Sequence, residues 1–217
     1  MRILITGWDP ILFEHETLNP SYEAVKRLPD RISGAEIVKL KIPIVFSKLD
    51  SIVHEAILAH KPDIWLSTGQ ASGRCDITVE YVAVNIVDAR IPDNEGNQPI
   101  DQTICKRGEN AYFSTLPIRA MVDRIRAKGI PASISYTAGS HGCNYIMYYA
   151  LYLAATEFPG LKAGFIHVPP MPSQAVDKPK TLATMSVETT TAAIEAAVEA
   201  IVAGVVGGPK KAEGAMS

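Results

Sequence analysis

The chain has 217 residues, 47% of them apolar and 20% charged, a balance that suits one folded globular domain and excludes disorder as the main state. Its 21 basic and 23 acidic residues leave a formal charge of −2. No basic surplus exists to drive binding to nucleic acid or to an anionic membrane.

Residues 2–6 (RILIT) and 35–40 (AEIVKL) read as buried strands, each a short apolar run with a polar, Gly or Pro boundary. Leu49, Ile52, Val53, Ala56 and Ile57 then repeat at helical spacing, with Ser47 and Asp50 as the starting cap. His54 and His60 sit on or beside that helix and read as surface residues. Residues 63–68 (DIWLST) form another strand, and 77–86 (ITVEYVAVNI) a longer one rich in β-branched side chains. Segment 88–110 is polar and Pro/Gly-rich, and reads as a long surface excursion.

A second amphipathic helix carries Ile118, Met121, Val122 and Ile125; Ser114, Thr115 and an early Pro117 open it, and Gly129 ends it. Residues 132–136 (ASISY) and 163–168 (AGFIHV) are strands. Residues 143–157 are apolar almost all round and predict a buried helix. Ile194, Ala197, Val198, Ile201, Val202 and Val205 form the stripe of a last helix. Strand–helix alternation with no repeat or linker predicts one α/β domain, an α/β/α sandwich around a mostly parallel twisted sheet over residues 1–205. Residues 206–217 read as a flexible C-terminal tail.

Cys75, Cys105 and Cys143 cannot all pair within the chain, and their spacing fits neither a zinc ribbon nor a C-x-x-C redox site. They point to a reducing, cytoplasmic setting. The N-terminus lacks a cleavable signal pattern, and the apolar stretch from Ala192 to Val206 is too short and too charged to span a bilayer. Gly69 and Gly73 lack the third glycine of a dinucleotide-binding loop.

The segment from Tyr136 to Asn144 joins a strand to a helix and puts Cys143 at the helix start. Unpaired N–H groups and the helix dipole there favour a thiolate, and the same N–H groups suit the oxyanion of a tetrahedral intermediate. The competing reading is a buried inert cysteine. His167 ends a strand before Pro169 and Pro170, where open α/β sheets gather their chemistry, and is the leading base. His141, two residues before Cys143, is its rival; His15, between Glu14 and Glu16, has no second cluster to make a metal site. Glu80 lies inside a strand-like run, where a carboxylate either pairs, as an acid orienting the imidazole would, or faces solvent.

With those residues in hand, the sequence resembles the pyroglutamyl peptidase I family, also called pyrrolidone-carboxylate peptidases. The likeness covers about residues 1–205. It is carried by Arg90 to Asp101, by Gly69 to Arg74 with Glu80, by Cys143-Asn144 with Met147-Tyr148, and by Gly164 to Pro169 followed by Gln174. The resemblance implies a cytoplasmic cysteine peptidase that removes an N-terminal pyroglutamyl residue through a thioester. It implies Cys143 as nucleophile, His167 as base and Glu80 as the orienting acid. Arg90 matches an arginine beside the oxyanion site, and Gln70 and Asn19 match polar positions near the substrate. It further implies a compact α/β fold, a homo-oligomer (tetramer or dimer), a small peptide with a blocked N-terminus as partner, and neither metal nor organic cofactor.

The first loop departs from the family pattern. Where relatives carry Gly-Phe-(Asp/Glu)-Pro-Phe-Gly-Gly-Glu, this chain reads from Gly7 to Glu16 without the Gly-Gly pair and two residues longer. Of the two aromatics that sandwich the substrate ring, one becomes Trp8 and the other Ile11, unless Phe13 swings in. His141 and Gly142 replace a bulky apolar pair, which predicts a larger, wetter pocket. Three other readings stay open: a different acyl group whose extra polar substituent meets His141, a Cys-dependent amidase or acyl transferase, and a non-catalytic binding protein on the same scaffold.

Overall fold

The computed structural model describes residues 1–12, 16–178 and 182–204. Phe13, His15 and the flexible tail expected over 206–217 lie outside the described residues. In chain order the elements are β1 (Arg2–Trp8), α1 (Pro20–Val25), β2 (Arg31–Ile32), β3 (Ala35–Ile42), α2 (Leu49–His60), β4 (Ile64–Gln70), β5 (Ile77–Glu80), β6 (Val82–Val84), β7 (Ala111–Phe113), α3 (Ile118–Ala127), β8 (Ala132–Ser135), α4 (Gly142–Thr156), β9 (Lys162–Val168) and α5 (Val187–Ala203).

Among the described residues, seven strands make one sheet in the order β2-β3-β1-β4-β9-β5-β8. Strands β3, β1, β4 and β9 are mutually parallel, β5 runs antiparallel to β9, and β8 is parallel to β5. Ile3, Ile5, Ile64, Leu66, Val79 and Ile166 pack on one face under α1, α3 and α5. Leu4, Trp65, Ala163 and Phe165 pack on the other under α2 and α4. Because both faces are covered, the central strands are apolar at nearly every position, which is why they read as continuous runs. The result is the α/β/α sandwich with a mostly parallel sheet that the alternation predicts. Among the described residues, no helix is long and apolar enough to cross a membrane.

Four local features differ from the sequence expectations. The run 77–86 is two strands: β5 belongs to the main sheet, while β6 pairs with β7 in a separate two-stranded ribbon. Tyr81 is the break, its N–H bonding Ser135 O in one sheet and its carbonyl accepting from Ser114 N near the other. Helix α2 follows a 3-10 turn over Phe46–Lys48, and its N-cap Lys48 makes no side-chain capping bond, so Ser47 and Asp50 do not form the expected cap. Helix α3 starts after Pro117, because the Ser114 and Thr115 hydroxyls both bond Ala163 O instead of capping. The six-residue α1, too short to show a period, is capped by Asn19, whose side chain accepts from Ser21 N.

The excursion 88–110 is anchored rather than loose. Asp93, 3% exposed, accepts from the backbone N–H groups of Phe46, Glu95 and Asn97. Burial raises its pKa, but those donors outweigh it and hold the carboxyl below its ordinary value.

Candidate active site

The carboxyl ends of β1, β4 and β9 meet at one edge of the sheet, and the start of α4 lies over them. Trp8, the bare Cα of Gly69 and His167 face α4, because Leu4, Trp65 and Phe165 on the same strands do so. Strand β5 starts at this edge and runs the other way. Thr78 stands opposite His167, so Glu80, two residues on, shares its face. Glu80 is fully buried and His167 is 4% exposed. His167 Nδ1 lies 2.7 Å from Glu80 Oε1. A carboxylate only accepts, so Nδ1 carries the hydrogen and Nε2 is left free to take a proton.

Arg74 completes this cluster and was not singled out by pattern. Its guanidinium donates to Glu80 Oε1 at 2.5 Å, to the Thr78 hydroxyl, and to Thr137 O at 3.0 Å. The buried carboxylate therefore has two cationic or potentially cationic partners on one oxygen, while Oε2 makes no hydrogen bond among the described residues. Burial lowers the His167 pKa from its ordinary 6.5; Glu80 opposes that, and Arg74 adds to it. Burial thus favours the neutral imidazole.

Cys143 is the second residue of α4, after the N-cap His141. Asn144 clamps this helix start to β6: its side chain accepts from Val84 N and donates to Val84 O and Ile86 O, at 2.9–3.0 Å. The sulfur packs against Gly69, where a Cβ would stand 2.7 Å from it and 2.8 Å from Phe165 Cζ. Burial pushes the Cys143 thiol up to about 12; the Glu80 charge adds to this and Arg74 opposes it. Burial and the Glu80 charge thus oppose the expected thiolate.

One cavity of about 310 Å³ is lined by Cys143 and His167 together with Trp8, Ile11, Asn19, Gln70, Arg90, His141 and Gly142. That size lies within the range of small-ligand sites. Every site residue named from the sequence among the described positions lines it, except Glu80, which is buried behind His167; Phe13 lies outside the described residues. Ile44, Ser72, Ile91 and the 138–140 stretch also line it and were not anticipated.

Several of these residues have structural partners. Asn19 accepts from Ser21 and donates to Asp9 O, so it caps α1 and ties down the first loop. Gln70 donates to Ser72 Oγ and accepts from Gln174 Nε2, which also donates to Glu16. Gln174 thereby links three loops around the cavity. His141 Nε2 lies 3.2 Å from Ile91 O, and its ring meets Phe46 edge-on with centroids 4.9 Å apart. That places one face of His141 against the 88–110 excursion. His167, with its carboxylate partner, is the better-supported base of the two histidines. Arg90 is exposed at the cavity rim.

A pyroglutamyl peptidase family model matches residues 1–204. A pyrrolidone-carboxylate peptidase of Clostridium botulinum is 54% identical over 195 residues, covering 90% of each chain. One from Streptococcus suis is 53% identical over 197 residues, covering 91% of this chain and 90% of that protein. The crystal structure of pyroglutamyl peptidase I from Bacillus amyloliquefaciens superposes with a TM-score of 0.88 at 42% identity, over 93% of this chain and 97% of that one. A mutant pyrrolidone carboxyl peptidase from Pyrococcus furiosus gives a TM-score of 0.90 at 38% identity, over 94% and 99%.

Proposed function

The chain belongs to the pyroglutamyl peptidase family, and on that premise we propose that it hydrolyses the amide bond after an N-terminal pyroglutamyl residue, with Cys143 as nucleophile, His167 as general base and acid, and Glu80 as the orienting carboxylate. The observation that carries this reading is the 2.7 Å bond from His167 to the buried Glu80, with His167 and Cys143 on the wall of the same cavity.

The neutral resting pair shapes the chemistry. Attack of sulfur on the scissile carbonyl is coupled to passage of the thiol proton to His167 Nε2, and Glu80 stabilises the imidazolium as it forms. N–H groups of the first turn of α4, with the Arg90 guanidinium at the rim, receive the negative charge on the carbonyl oxygen. The imidazolium then protonates the leaving amine and leaves a thioester. Water, losing a proton to His167, hydrolyses it and restores the thiol.

The lactam of a pyroglutamyl group is small, flat and uncharged. Trp8, Ile11, Ile44 and Ile91 offer it apolar walls, and Gln70 and Asn19 offer polar edges. Three unpaired cysteines support a reducing cytoplasmic setting. Phe113 and Ile100, each 65% exposed, support burial against a further copy of the chain in a homo-oligomer.

A fluorogenic panel of N-terminal acyl and aminoacyl amides tests the reading. Strong preference for pyroglutamyl amide, abolished in Cys143→Ala, is the expected result. Equal turnover of the other acyl groups, or full activity in Cys143→Ala, overturns it.

A further inference from the structure

Trp8 carries a feature that wall packing does not explain. It is 3% exposed, and its Nε1 is shut off from solvent without a hydrogen-bond partner among the described residues. The benzene half of the indole rests on Gly142, where a Cβ would stand 3.2 Å from Cη2. The pyrrole half points elsewhere. A Cβ on Gly69 would stand 3.2 Å from Trp8 Nε1 and 2.7 Å from Cys143 Sγ, so nitrogen and sulfur both flank the one bare position of β4, without a hydrogen bond between them in the resting site.

We propose that the indole N–H of Trp8 is a hydrogen-bond donor to the ionised sulfur of Cys143, so that Trp8 tunes the nucleophile as well as walling the cavity. The inference rests on the reading of Cys143 as nucleophile. A thiol is a weak acceptor and a thiolate a strong one. In the resting state the buried N–H is unsatisfied, a cost that ionisation removes. Both the penalty in the thiol form and the bond in the thiolate form therefore favour loss of the proton. A ligand in the cavity does not compete for this donor, because Nε1 is closed even to water. In the step itself the S–H bond breaks, the proton passes to Nε2 of His167, the electron pair stays on sulfur, and Trp8 keeps its own proton throughout.

The test is the rate of alkylation by iodoacetamide as a function of pH, read by mass spectrometry at Cys143 in the full-length chain, with Cys75 and Cys105 as internal references. Trp8→Phe removes the N–H. Site-specific replacement of Trp8 by 3-benzothienylalanine exchanges that N–H for sulfur while keeping the bicyclic shape, which guards against a packing defect. Both variants are expected to alkylate at Cys143 about tenfold more slowly at neutral pH, with the profile displaced upward and the reference cysteines unaltered. An unchanged Cys143 profile in the benzothienyl variant overturns the proposal, even if Trp8→Phe slows. Retention of hydrolysis by Cys143→Ala sinks the nucleophile reading itself, so the two failures are told apart.

Discussion

Glu80 reaches His167 because β5 enters the sheet against the direction of β9. With Thr78 opposite His167, the carboxylate two residues further along lies on the same face and bonds Nδ1 at 2.7 Å. A parallel β5 in the same place would end at this edge pointing outward, and its last residues would leave the sheet beside His167 instead of running back under it.

That bond fixes the tautomer, which yields a first prediction. Glu80→Gln offers Nδ1 an amide that can donate as well as accept, so the imidazole is free to put its hydrogen on Nε2 and face Cys143 with the wrong atom. The variant is expected to lose about a thousandfold or more in kcat, the scale seen when an orienting carboxylate becomes an amide. Since Glu80 raises the His167 pKa, its removal also moves the acid limb of any residual kcat/KM to lower pH. In the wild type that limb lies below the ordinary 6.5, because burial already lowers the pKa. A pH–rate profile of both proteins checks the limb's position and the direction of its displacement.

Arg74 makes an opposite prediction. It donates to Glu80 Oε1 and lowers the His167 pKa. Arg74→Met is therefore expected to shift the acid limb upward. It also strips the buried carboxylate of a partner, at roughly 3 kcal/mol of stability, the low end for a buried pair because Arg74 is partly exposed. Arg74→Lys, which keeps the charge and loses the fork, is expected to restore the limb more fully than the stability. Urea denaturation and pH profiles of the two variants separate charge from geometry; a limb that stays put in Arg74→Met removes Arg74 from the electrostatics of the site.

The central strands and the position of Cys143 at a helix start were legible because both depend on local pattern. Ile3 to Ile5, Ile64 to Leu66 and Phe165 with Ile166 are apolar on both faces, and the small residues before Cys143 signal a strand-to-helix turn. What local pattern could not show is long-range. The break at Tyr81 is invisible because the residues on both sides are good strand formers, and the chain divides there only to serve two sheets. Arg74 looks like a loop residue until the chain brings Thr137 and Glu80 to it. Asn19 carried a cap signal, a polar residue just before Pro20, but α1 is a single short turn with no stripe to confirm it. The opposition to a thiolate at Cys143 was not legible, because helix position is readable in sequence and the packing of Glu80 beside the sulfur is not.

Gly69 is a third place to test the site. The gap it leaves is filled by Cys143 Sγ at 2.7 Å and Phe165 Cζ at 2.8 Å from a would-be Cβ, both closer than real contacts allow. Phe165 is fully buried and cannot retreat, so the sulfur must move. Gly69→Ala is expected to cost about 1–3 kcal/mol by overpacking and to lower kcat by far more than that stability loss accounts for. Thermal denaturation and steady-state kinetics check the pair. Full activity in a destabilised Gly69→Ala protein shows that the sulfur's seat against β4 is not needed for the chemistry.

The raised Cys143 thiol also makes stability depend on alkaline pH, with a sign that can be worked out. Burial raises the Cys143 pKa from 9.0 to about 12, so between those values the unfolded chain has lost a proton that the folded chain retains. Unfolding then releases a proton, and stability falls as pH rises across the window, by at most about 1.4 kcal/mol per pH unit for one such group. Tyr145, Tyr148 and Tyr149 are raised as well, mainly by burial, and contribute in the same direction. Cys143→Ser separates them, since serine does not titrate there while the tyrosines stay. The stability of the wild type relative to Cys143→Ser, measured by urea denaturation at successive pH values, is expected to be level below pH 9 and to decline above it. A difference that stays flat through the window shows that the folded site does not hold the Cys143 pKa above its ordinary value.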